Sequence, residues 1–226
     1  MEEQADIFNN EKVRWGVIFY ALYLFVCLLI KHTNWFVTYD RLFFMELLLA
    51  FITTCFVVAN RKALRPVLSL RHLKLGMALL SIGMAVVFSI ITHRIIAELP
   101  IQVRNAGVHY YSSFHRYFSP TLVMIYSVAF MPALFEELAF RGVLYHYFKD
   151  VTDERRVVFI TAVIFSAMHL NSVSLLWLFP LGLLLGYLRK KHHTVWYGVL
   201  FHFTFNFLIC LQMLYRHLPF PLSLIQ

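Results

Sequence analysis

Of the 226 residues, 60% are apolar, 17% aromatic and 14% charged, whereas a soluble globular domain carries about 25% charged residues. The net charge of +8 would suggest nucleic acid in a soluble protein, but the basic residues lie in short loops between long apolar stretches. Together these features exclude a secreted disulfide scaffold, a disordered tail protein and a cytosolic enzyme, leaving an all-α, polytopic helical membrane protein that contacts membrane lipid and no nucleic acid.

The N-terminus, MEEQADIFNNEKVR, is acidic and polar, unlike the basic region of a cleavable signal peptide, so the first span is expected to be retained. About seven transmembrane helices are expected, near 14–31, 42–60, 75–93, 118–147, 155–170, 173–188 and 194–215. Between the second and third lies RKALRPVLSLRHLK (61–74), where leucines and a valine alternate with five cations. This pattern reads as an interfacial helix with Pro66 in its first turns. The 32 charge-free residues of 157–188 exceed one crossing and barely suffice for two, so a break is expected at Asn171–Ser172, giving two short helices or a re-entrant hairpin. Counting Lys and Arg by loop puts 13 on the N-terminal side and 6 on the other, which orients the N-terminus to the cytoplasm and the C-terminus outside. Gly182 and Gly186 form a GxxxG step suited to close packing within the bundle, with dimerisation a weaker alternative, and oligomeric state stays open. Cys27, Cys55 and Cys210 read as core-filling. Glu46, His192 and His193 read as interfacial residues, and Trp15, Trp35, Trp177 and Trp196 as interface belts.

Ionisable residues at membrane depth are costly and mark function. Three clusters qualify: FEELAFR (135–141), FSAMH (165–169) and HFTFN (202–206). Glu137 and Arg141 are spaced i,i+4 with the acid first, the favourable order for an ion pair. Glu136 points about 100° away and is free for another partner. Counted from the cytoplasmic ends of their helices, Glu136 lies about 16 Å deep, His169 about 20 Å, His202 about 12 Å and Asn206 about 18 Å. An acid, two imidazoles and an amide thus reach similar levels. Pro132 removes one backbone donor and frees the carbonyl of Val128, so a kink is expected just above the acid.

No HExxH motif is present, so no metal or other cofactor is called for, although zinc stays open. No GxSG-like turn supports a serine protease, and Asp6, Asp40, Asp150 and Asp153 fall outside the spans or near their ends, which removes an aspartyl pair. What remains is a carboxylate and a His holding one water, a set that suffices for peptide hydrolysis. Glu136 acts as general base, His169 orients the water or shares its proton, and His202 and Asn206 donate to the oxyanion.

EExxxR, FxxxH and HxxxN, in that order on successive membrane helices, resemble the CPBP family, which joins CaaX prenyl proteases of the Ras-converting type to bacterial Abi and bacteriocin-processing proteins. The resemblance spans about 118–215. It implies a metal-independent, glutamate-type intramembrane protease with Glu136, His169, His202 and Asn206 catalytic and with Glu137, Arg141 and Phe165 supporting. It further implies a peptide or membrane-protein substrate, a bacterial cell membrane, and a division into N-terminal helices (1–117) and a catalytic helical core with a short tail (118–226). Two other readings stay open: a non-catalytic scaffold or peptide-binding and immunity protein of the same family, and an ion-coupled transporter. The transporter lacks the paired half-sequences expected of inverted repeats.

Overall fold

The computed structural model describes residues 10–33, 39–99, 114–115 and 117–217. Trp35, most of the expected loop 94–116, and the tail lie outside the described residues. Among the described residues, eight helices run in order: α1 (Glu11–His32), α2 (Tyr39–Ala59), α3 (Arg61–Leu68), α4 (Leu75–Ala97), α5 (Pro120–Phe148), α6 (Glu154–Met168), α7 (Leu175–His192) and α8 (Trp196–His217). Among the described residues there is no strand. The protein is an all-α integral membrane protein, and α1, α2, α4, α5 and α8 are long and apolar enough to cross a bilayer. Large apolar side chains face outward along them, including Phe25, Phe44, Phe51, Leu79, Ile90 and Phe130. Such a surface suits lipid rather than water.

Capping sets several boundaries. Asn10 accepts from the Lys12 amide at the start of α1 (2.9 Å), and Asp153 accepts from the Arg155 and Arg156 amides at the start of α6 (3.0 and 3.1 Å). Helices α6 and α7, of 15 and 18 residues, measure about 22 and 27 Å. They pack against each other as a hairpin. The expected break falls inside its turn, where the Asn171 side chain accepts from the Val173 amide at 3.0 Å and nucleates an Asx-type bend. Leu170, just before it, adopts a left-handed conformation with φ of 52°. The GxxxG step does bring helices together within the bundle: a Cβ on Gly182 would meet the Ala162 backbone at 3.0 Å, and one on Gly186 would meet Val158 at 2.9 Å.

The basic segment after α2 forms α3, with Leu64 and Val67 turned into the core and Pro66 in its second turn, followed by a short 3-10 turn (Leu70–His72). Its end is tied to the start of α8. The Val67 carbonyl accepts from the Thr194 hydroxyl (3.1 Å) and the Val195 amide (3.2 Å), and the Leu68 carbonyl accepts from the Trp196 indole (2.9 Å). Small buried residues at Ser81, Ala85 and Ser89 recur every fourth position along α4 and let it lie close to α8, where Ser81 donates to the Tyr197 carbonyl at 2.6 Å. Lys12 pairs with Asp150, so the start of α1 and the end of α5 share the basic face with α3. At the far end of α1, Lys31 donates to the Leu170 carbonyl. Cys210 is buried and Cys27 half-buried, but Cys55 faces outward, because α2 lies at the rim of the bundle.

Replacing Gly182 with Ala is expected to force α6 and α7 apart and lower the melting temperature in detergent, whereas Gly83→Ala, with nothing within 4 Å of the new methyl, leaves it unchanged. The hydrogen bond from Lys12 holds the Asp150 carboxyl below its usual range. A depressed carboxyl contributes stability above its unfolded-state value of about 3.9 and loses it as pH falls through the folded-state value. Asp150→Asn should therefore cost less than about 1 kcal/mol at neutral pH, the pair being half exposed, and the difference from wild type should fade below about pH 4.

Candidate active site

Helix α5 is not a regular α-helix. It carries two π-helical segments, Ile125–Phe130 and Leu138–Leu144, on either side of the glutamates. The first has a visible cause. Pro132 cannot donate to Val128, the Met131 amide bonds Tyr126 instead, and the Asn206 side chain of α8 donates to the Val128 carbonyl at 3.0 Å. At the end of the second, the Tyr145 amide bonds Phe140 and Gly142, while the buried Arg189 of α7 donates from Nε to the Arg141 carbonyl at 3.0 Å. The Val128 and Arg141 carbonyls thus each have a side-chain donor, as a low-dielectric interior demands.

A sealed ion pair ties the residue just before the second segment to one inside it. Arg141 Nη1 and Glu137 Oε1 are 2.9 Å apart, and both side chains are completely buried. Arg141 also donates to the Gly182 carbonyl (3.1 Å), and its guanidinium lies 4.5 Å from the centroid of the Phe165 ring. His202 places Nδ1 3.3 Å from the same Glu137 oxygen. The other Glu137 oxygen sits over Gly198, 2.6 Å from where a Cβ would be, so only glycine fits there. Phe165 is the aromatic centre of the group: its ring meets those of Phe140, His169 and His202 at 5.3, 5.2 and 6.0 Å. Four helices, α5 to α8, therefore converge where the three motifs were expected to meet.

The motif residues divide by partner. Glu137, Arg141 and Phe165 are wholly buried, and His202 nearly so. Glu136 is half-buried, with Oε2 sealed and without a hydrogen-bond partner, on the side of α5 that faces Tyr23, Cys27 and Glu46. His169 caps the end of α6 with an outward-lying ring whose Nδ1 is 3.0 Å from the Phe165 carbonyl. A proton on Nδ1, donated to that carbonyl, leaves Nε2 as an acceptor. Glu136 and His169 are not hydrogen-bonded to each other among the described residues.

Residues 118–208 match the family model Rce1-like, described as type II CAAX prenyl endopeptidase Rce1-like. The match runs from α5 into α8 and contains all three motifs, in agreement with the resemblance they carry. No curated protein and no solved structure matches the chain.

One polar residue beside the site differs from its sequence reading. Glu46, expected at the interface, turns inward from α2, with Oε2 buried, unpartnered and within electrostatic reach of Glu136. The available signal was an acid in the otherwise charge-free run 42–60; which way it faced depended on α5 packing beside α2. Among the described residues, no group of three or more His, Cys, Asp or Glu side chains is placed to hold a metal ion.

Removing one member of a buried ion pair strands the other. Arg141→Met should cost about 3–5 kcal/mol, read as loss of folded protein on denaturant titration in detergent, and Glu137→Gln/Arg141→Met should recover a large part of that loss. A double variant as unstable as the single one would show that the Arg141 contacts to Gly182 and Phe165, rather than the charge pair, carry the stability.

Proposed function

We propose that the protein is an intramembrane endopeptidase in which Glu136 is the general base. The family match supports a CAAX-type protease, and the observation that carries the finer reading is the Glu136 carboxylate, whose Oε2 has no protein partner while its neighbour Glu137 is committed to Arg141 and His202. Glu136 takes a proton from water, with His169 Nε2 as the group that shares or relays it, and the resulting hydroxide attacks the scissile carbonyl. The tetrahedral oxyanion receives hydrogen bonds from His202 Nε2 and from the Asn206 N–H not used by Val128. Collapse breaks the C–N bond as Glu136 returns the proton to the leaving amine. With the Nδ1 proton of His202 donated to Glu137, Nε2 of the neutral ring would be an acceptor, so the oxyanion role calls for the imidazolium, paired with Glu137 through Nδ1.

In this reading α5 to α8 supply the chemistry and the helices of 1–117 wall the site, with α1 and α2 against Glu136. The excess of Lys and Arg on the α3 face orients that face, with the N-terminus, to the cytoplasm. The substrate is a peptide or membrane-protein segment, and the site of action is a bacterial cell membrane.

The structural partners of Asn206 and His202, and the absence of a Glu136–His169 hydrogen bond, favour a second reading: a non-catalytic scaffold built on the same helices. Digestion of a quenched peptide library by purified protein, with and without a chelator, separates the two. Chelator-resistant cleavage that falls by at least about a hundredfold in a folded Glu136→Gln variant is the expected result. Cleavage by that variant at the wild-type rate would end the glutamate proposal.

A further inference from the structure

An open cavity of about 550 Å³ lies where α2 ends and α3 begins, remote in sequence from the glutamates of α5. Four cations line it, Arg61, Lys62, Arg65 and Arg71, together with an apolar wall of Val57, Val58 and Leu68. The cations are exposed, and among the described residues none of the four has a carboxylate partner. The reason is written in the sequence: no Asp or Glu occurs between Glu46 and Glu98. Asp150 and Asp153, in the link between α5 and α6, are engaged by Lys12 and Arg156. Four uncompensated positive charges around one concavity favour an anion. The apolar wall argues against a small hydrated one. Val58, more than half exposed on the last turn of α2, is part of the lipid-facing surface and continues that surface into the cavity.

We infer that this cavity is a binding site for an anionic phospholipid, with Arg61, Lys62, Arg65 and Arg71 around its phosphate and the start of an acyl chain on Val57, Val58 and Leu68. Bidentate guanidinium contacts suit a phosphodiester. Leu64 and Val67 anchor the opposite face of α3 in the core, so the cations are presented from a fixed helix rather than a loose tail. Because Val67 and Leu68 also bond the first residues of α8, a lipid held here braces the helix that carries His202 and Asn206.

Native mass spectrometry of the purified full chain, titrated with phosphatidylglycerol, phosphatidylcholine or inorganic phosphate, tests the assignment. Phosphatidylglycerol should bind wild type, and Arg61→Gln/Arg65→Gln should weaken it by about tenfold or more. Lys190→Gln/Lys191→Gln removes the same charge from the end of α7 and should change it less than about twofold. Should the first double variant misfold, Arg71→Gln, in the 3-10 turn outside α3, makes the same comparison against Lys190→Gln. Equal weakening by site and control variants, equal binding of phosphatidylcholine, or displacement by inorganic phosphate at matching concentration would overturn the proposal.

Discussion

The Glu137–Arg141 pair must be neutralised within the bundle, because neither side chain reaches water. Desolvating each ion costs several kcal/mol, and one 2.9 Å contact does not offset two such costs. The remainder comes from neighbours on three other helices: the Gly182 carbonyl of α7, the Phe165 ring of α6, and His202 with the bare Cα of Gly198 on α8. None of these helices can shift by an ångström without stranding a charge. The pair thus converts an electrostatic debt into positional accuracy, and the residues flanking it, Glu136 and His169, inherit that accuracy.

Backbone supply and demand is the second organising constraint. In a bilayer a carbonyl abandoned by Pro132 or by a π turn finds no water, so a side chain must reach it. Asn206 and Arg189 do this for Val128 and Arg141. The amide of Asn206 therefore serves the fold with one hydrogen and keeps the other, and any catalytic use of this residue is built on a structural one.

What could be read from the sequence followed from periodicity and cost. Long charge-free runs fixed the helices to within a few residues, and the i,i+4 spacing of Glu137 and Arg141 showed the ion pair. The excess length of 157–188 showed the α6–α7 turn, and Pro132 pointed to the freed carbonyl of Val128. Facing was harder. Glu46 turns inward because α5 lies beside α2, and His202 pairs with Glu137 because Gly198 lets α8 approach; both depend on residues about 65 to 90 positions away in the chain. The π segments were hidden as well, since no residue type marks a turn that holds one more residue than usual.

That additional residue in each π segment makes helix length, as much as composition, a carrier of information. One residue more or less rotates everything beyond it by about 100°. Shortening either segment by one residue would keep every motif letter in order yet turn Glu136 and Glu137 away from Val128 on one side, or from Tyr145 on the other. The span between Ile125 and Leu144 therefore tolerates exchange of its lipid-facing side chains far better than any change in their number.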